Sequence, residues 1–291
     1  MSLTANILLG YNDYVHNGSI HDTSCPFAAG APAVNMLTED LDKPVIFAPT
    51  AAEPTMSFVI DLGAAKPTDL IALIKHNINY TGKWRVQLNF DIADPVGQEY
   101  DSGWLTVIPP QPGFGVLTWG QFLWGGAIPE YNLGKYNRHA YLPLPNTVVI
   151  RYITVTIDAP SNTAPVKFYR LWASIGYQPS VNVQYGAEIV PIDETKVQKM
   201  SAGNRIYGDA VQRRQVNAGF DMLPRTEMLY NIVGALYLAS GVKSPVICML
   251  EPADPANYYV EAVYGNLTQI DKAVYSSWLM FSTTFAVEEQ P

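Results

Sequence analysis

Short apolar runs in which polarity alternates with period two recur along this chain, the mark of half-buried strands. Between residues 83 and 91, Trp84, Val86, Leu88 and Phe90 alternate with Arg85, Gln87 and Asn89. An earlier run at 58–60 stops at Asp61, Leu62 and Gly63, and Pro67 fixes φ in the turn that follows. A second run at 70–74 stops at Lys75, His76 and Asn77, so a buried strand is predicted on each side of that turn. The β-branched stretch 146–158 is the clearest strand in the sequence, and 166–176 predicts the next one. Residues 1–57 read as loops and short strands, with one helical turn at 35–44 ended by Pro44.

Past residue 176 the pattern changes. Residues 178–186 read as a linker, followed by short extended pieces at 190–200 and 203–207 and an alternating strand at 212–220. Residues 224–241 predict one helix: Pro224 suits the first helical position, Glu227 the positive end of the dipole, and Gly241 the stop. Met228, Leu229, Ile232, Val233, Leu236 and Tyr237 recur at three- and four-residue spacing, which makes one apolar stripe. Strands follow at 245–250, 258–264 and 276–287, the first two joined by a turn at 251–257 that holds Pro252 and Pro255. The pattern therefore predicts a mainly β protein of two domains, 1–178 and 179–291, with a helix at about 224–240 in the second.

One segment, about 101–145, has neither period. Gly and Pro break it repeatedly, and it carries Trp104, Phe114, Trp119, Phe122, Trp124, Tyr131 and Tyr136. A loop this long is functional or covered by a partner. Its aromatic residues have three readings: packing on the parent domain, burial against a neighbouring subunit, or stacking on sugar rings.

Composition narrows the function classes. At 291 residues the chain is long for one core, and 48% hydrophobic with 15% charged residues suits a folded protein. A net charge of −8 argues against sequence-specific nucleic-acid binding. The cluster Lys196, Lys199, Arg205, Arg213, Arg214 and Arg225 lacks the interleaved aromatics of a single-strand site and is expected to pair with acidic residues of a neighbour. Cys25 and Cys248 lie in different halves and are expected to be reduced and buried. No signal-peptide pattern opens the sequence and no run is long enough to cross a bilayer, so a soluble product made in a cytoplasm is expected.

Candidate chemistry is sparse. There is no nucleophile elbow, no His-Glu-x-x-His and no phosphate-cradling Gly-rich loop. His16, His21 and Asp22 lack a third metal ligand at a recognisable spacing, and His76 with Asn77 reads as a turn or a satisfied core histidine. Asp91, Asp94, Glu99 and Asp101 flank turns around Pro95 and Gly97 rather than facing each other across a sugar cleft. No catalytic, cofactor-binding or metal residue is expected.

The order Asp61-Leu62-Gly63, turn, strand, His76-Asn77 resembles the discoidin-like (coagulation factor 5/8 C-type) jelly roll, in particular the version in tail proteins of tailed bacteriophages. Arg151-Tyr152 opening one closing strand and Tyr169-Arg170-Leu171-Trp172 in the next are similar to the end of such domains. The order strand, helix, three strands after 186 resembles the tail-tube-like fold, in which sheets of adjacent subunits join into a ring. The resemblance implies a discoidin-like jelly-roll β-sandwich followed by a smaller tail-tube-like β-sandwich domain with one packed α-helix. It also implies a non-enzymatic structural protein of a siphophage-like tail tip or baseplate in the virion. Its partners would be a homo-oligomeric ring and the tail tube, hub and fibre proteins. Distal tail proteins commonly carry the ring domain first, and here the order is reversed. The alternative of a different class is a carbohydrate-binding receptor module touching host surface glycans.

Overall fold

The computed structural model describes residues 3–24, 26–47, 55–91, 98–109, 138–160, 162, 164–200, 204–208 and 212–290. The strands of the first half are β1 (Leu8–Gly10), β2 (Ser19–Thr23), β3 (Val45–Ile46), β4 (Thr55–Ile74), β5 (Lys83–Asn89) and β6 (Gln98–Asp101). They continue with β7 (Leu105–Thr106), β8 (Ala140–Asp158), β9 (Lys167–Phe168), β10 (Arg170–Ser174) and β11 (Gly176–Tyr177). In the second half come β12 (Glu188–Asp193), β13 (Val197–Lys199), β14 (Arg205–Tyr207) and β15 (Gln212–Pro224). After the helix follow β16 (Val246–Met249), β17 (Ala262–Ile270), β18 (Val274–Ser277) and β19 (Met280–Glu289).

Two compact units result, and neither is continuous in sequence. One holds Met1–Thr4, Asn12–Gly176 and Ala253–Tyr259; the other holds Ala5–Tyr11, Tyr177–Pro252 and Val260–Pro291. The sequence places a single division at 178/179, whereas two short segments are exchanged between the units. The reason lies in pairing: β1 forms an antiparallel ladder with β16, Leu9 opposite Cys248, and so joins the second unit's sheet.

The first unit is built on β4 and β8, which pair along nearly their whole lengths. The N-terminal half of β4 and the C-terminal half of β8 form one layer with β2 and β5; the other halves form a second layer with β10. Alternation along β4 turns Met56, Phe58, Ile60 and Leu62 inward, and β5 does the same with Trp84, Val86 and Leu88. These side chains close one core with Ile71, Leu73, Ile153, Val155, Leu171 and Ala173. The result is a two-layered antiparallel β-sandwich. Phe47, Phe58 and Phe168 stack at its centre, ring centroids 5.6–6.0 Å apart. Each such buried ring contributes roughly 1.5–3 kcal/mol of transfer free energy.

The turn expected between two strands at 61–67 is instead a bulge inside the single strand β4. Residues 62–65 are left unpaired between Asp61, opposite Tyr152, and Lys66, opposite Ile150. The strand resumes on the same partner because Asp61 holds the bulge from inside. Its Oδ1 accepts the Gly63 N–H at 2.7 Å, and its two oxygens accept Nε and Nη2 of Arg151 at 2.9 and 2.8 Å. Gly63, at φ +76°, supplies the left-handed backbone that this bend requires.

In the second unit, β16, β17, β19, β15 and β12 pair antiparallel in that order within an eight-stranded sheet. The expected helix is present, with two differences. Pro224 ends β15, and the helix starts with an α-turn, Arg225–Glu227, that winds on as a π-helix, Met228–Ser240. Ile232 and Leu236 are fully buried against Val216, Phe220, Val263, Phe285 and Val287, and Val233 is half-buried against the same cluster. Leu229, expected on the packed stripe, is instead 39% exposed. Residues 258–261 are helical rather than extended, and the strand begins at Ala262.

Candidate ligand cleft and association surface

A second bulge, in β8, builds a cleft in the first unit. Pro143 and Pro145 have no N–H to give the ladder, and pairing with β4 jumps from Leu70 opposite Pro143 to Thr68 opposite Val148. Asp69 sits against the gap. Its carboxylate accepts Thr147 Oγ1 at 3.3 Å and the Gly176 N–H, and burial pushes its pKa up. The displaced residues Asn146 and Thr147 meet Phe90, Glu99 and Tyr100 at the adjoining ends of β5 and β6, lining an open cleft of about 520 Å³. Phe90 is half exposed, as is Val149 on the cleft's other side. Burial, with the Asp101 charge nearby, raises the Tyr100 phenol, so its hydroxyl stays neutral. Among the described residues the cleft thus offers an apolar face, the Glu99 carboxylate, the Asn146 amide and the hydroxyls of Tyr100 and Thr147. That set suits contact with a hydroxylated ligand.

Of the aromatic candidates, Trp104 lies in the bend before β7 and is about half exposed. Phe114, Trp119, Phe122, Trp124, Tyr131 and Tyr136 lie outside the described residues, as do Asp94 and Cys25. Asp101 is engaged by Arg85, whose Nε approaches at 2.9 Å and which holds the carboxyl below its ordinary range. His76 is buried, with Nδ1 accepting the Ile78 N–H at 3.2 Å. His21 lies exposed on β2 with its ring edge-on to Tyr152 at 5.7 Å. Arg213 and Arg214, expected to meet a neighbour's carboxylates, already have partners within the chain. Arg213 Nη1 donates to Glu288 at 2.6 Å, and Arg214 Nε donates to Glu289 at 2.9 Å. Cys248 is buried, and burial pushes its thiol up to about 12, so it is an inert core side chain.

The second unit exposes apolar groups on two elements. On the helix, Tyr230 is 76% and Leu238 79% exposed, opposite the face that packs on the sheet. At the turn between β18 and β19, Trp278 is 88% exposed beside Leu279, and Tyr275 stacks on Phe281 with centroids 4.1 Å apart. Sequence reasoning singled out neither the cleft nor the turn. The cleft joins positions about 50 residues apart through a bulge, and Trp278 carried no pattern of its own.

No protein-family model and no curated protein matches the sequence. Among solved structures, the chain is similar to chitosan-binding module 1 from a chitosanase/glucanase of Paenibacillus sp. IK-5: TM-score 0.37, 10% identity, 57% of this chain and 100% of the module. The CBM32-4 module of CpGH89 from Clostridium perfringens matches with TM-score 0.35 and 16% identity over 57% of this chain and all of the module. The family 32 CBM of NanJ from the same organism, solved with galactose, gives 0.37 and 11% over 57% of this chain and 98% of its own.

Proposed function

We propose that this protein is a non-catalytic structural subunit of a phage tail-tip or baseplate assembly, in which the second unit associates with copies of itself. The tail assembly rests on the sequence resemblance, and one observation supports the self-association: the 228–240 helix is apolar on both faces. A helix apolar all round is covered all round. Its inner face packs on the sheet, while Tyr230 and Leu238 face outward with Val242 following. A second copy, presenting the same face, is the occupant that fits a symmetric association. Native mass spectrometry of the full chain tests it. A defined oligomer is expected, and Tyr230→Asp with Leu238→Asp should reduce it to monomer while the far-ultraviolet circular dichroism stays unchanged. A monomeric wild-type chain, alone and mixed with tail proteins, would overturn the reading.

A second reading, contact with surface glycans, is favoured by the cleft of Phe90, Glu99, Tyr100, Asn146 and Thr147. It names the ligand class of the similar modules but stands on the cleft alone, and Phe90→Ala is the variant that should remove it.

A further inference from the structure

The second unit holds a groove that neither reading uses. It lies on the sheet face turned away from the helix, because alternation along β15 and β19 sends Val216, Phe220 and Val287 to the core and Gln215, Asn217 and Thr284 outward. Its floor is flat: Asn217 pairs with Ala286, which pairs in turn with Gln269, and Gly219 pairs with Thr284. Neither Ala286 nor Gly219 brings bulk to the floor. A Cβ on Gly219 would lie 2.9 Å from Gln184 Nε2, so the Gln184 amide reaches over this glycine. The groove is open and holds about 230 Å³, and among the described residues its lining side chains are uncharged, with the Glu188 and Asp271 carboxylates behind Asn217 and Thr284.

The walls are amides. Gln215 Nε2 donates to Asn217 Oδ1 at 2.6 Å, and Asn217 Nδ2 donates to Glu188 Oε1 at 3.1 Å, which fixes these two groups in orientation. Among the described residues, the side-chain amides of Gln184 and Gln269 are engaged by no other side chain, and each keeps a donor and an acceptor free for a ligand. Between Gln184 and Gly186, both lining residues, stands Tyr185, fully exposed at the tip of a turn. Gly186, at φ +102°, makes the turn possible.

We propose that this groove binds one ring of a neutral saccharide, with Gln184, Asn217 and Gln269 hydrogen-bonding its hydroxyls and Tyr185 offering an aromatic surface beside it. Paired donors and acceptors match vicinal hydroxyls, each of which both gives and accepts. An anion would lose hydration here and face the Glu188 and Asp271 carboxylates behind Asn217 and Thr284, while each of those carboxylates already accepts from a lining side chain. The volume falls below the roughly 300–1,000 Å³ of pockets for drug-sized ligands, which suits a single ring. An extended peptide fits less well. The groove crosses central strands whose backbone groups are already paired, so no strand can be added there.

The test uses the full-length protein and saturation-transfer NMR with galactose, glucose, N-acetylglucosamine, lactose, cellobiose and chitobiose, with a Gly-Ser-Asn hexapeptide as the peptide probe. Transfer to at least one sugar is expected. Gln184→Ala with Gln269→Ala should weaken it about tenfold or more, and Tyr185→Ala several-fold. The oligomer seen by native mass should persist in the amide variant. The affected side chains are exposed, so unchanged circular dichroism is expected. Transfer to no sugar, transfer insensitive to the amide variants, loss only in Phe90→Ala, or transfer to the peptide alone would each overturn the proposal. Failure of the association reading leaves it untouched, since that is read from mass.

Discussion

His76 shows how one buried side chain sets a pH dependence. Its Nδ1 accepts the Ile78 N–H, so the proton of the neutral ring belongs on Nε2, which is buried and has no hydrogen-bond partner among the described residues. Burial, reinforced by the nearby Arg138 charge, pushes the imidazole down to about 3, against an ordinary value of 6.5. As pH falls, the unfolded chain takes up a proton near 6.5 that the folded chain refuses until about 3. Above the upper value both forms are neutral and the group contributes no slope. Between the two values stability should fall by up to ~1.4 kcal/mol per pH unit from this group. His76→Asn keeps an acceptor near the Nδ1 position and removes the titration. Urea unfolding at about pH 8 and about pH 5 should therefore show a smaller acid loss for the variant than for the wild type. Equal losses would mean that the ring is charged in the fold or open to water. The sequence placed His76 in a turn or the core rather than in catalysis, but its tautomer and its orphan nitrogen depend on neighbours that no local pattern names.

At the scale of elements, what the sequence made legible followed from polarity. The alternation of Trp84, Val86 and Leu88 identified β5, and the β-branched run after 146 identified the inner part of β8. The bulges were only half legible: Gly63, Pro143 and Pro145 mark where they fall, but the contacts that hold them reach across strands, Asp61 to Arg151 and Asp69 to Thr147. The cleft was missed for the same reason. The helix is an intermediate case. Its existence was plain, but its winding was not, since spacings of four fit an α-helix and a π-helix equally well. The Gly241 N–H reaches Leu236 O at 2.9 Å, five residues back, and the wider turn buries Met228, Ile232, Leu236 and Ser240, four residues apart, together with Tyr237. This rotates Leu229 out of the packed stripe. Ile232→Asp should then bury an unpaired carboxylate and cost several kcal/mol (~3 or more), whereas Leu229→Asp should stay within about 1 kcal/mol. Thermal or urea unfolding of the two variants checks this; equal losses would restore the narrower α-helical register.

At the scale of the whole molecule, the exchange of short segments governs how the chain can be divided. A cut at 178/179, where the sequence changes character, leaves the second unit without Ala5–Tyr11. That segment carries β1, whose three residues pair with β16, and Ile7 and Leu9 are buried in the core with Val246 and Cys248. Each aliphatic side chain of this kind contributes roughly 1.5–3 kcal/mol on burial. Losing two of them therefore removes a large part of the roughly 5–15 kcal/mol that keeps a domain folded. The loss also leaves β16 as an unpaired edge bearing apolar side chains, a template for aggregation. A fragment of residues 179–291 should consequently be insoluble or unfold without a cooperative transition. The same fragment supplied with a synthetic peptide of residues 3–12 should recover solubility and a cooperative transition, because the peptide restores both the ladder and the two buried side chains. A peptide with Leu9→Asp should fail to rescue, since it restores the ladder while placing a carboxylate in the core. Cooperative unfolding of 179–291 alone, at the midpoint of the second unit in the full chain, would show that β1 is dispensable.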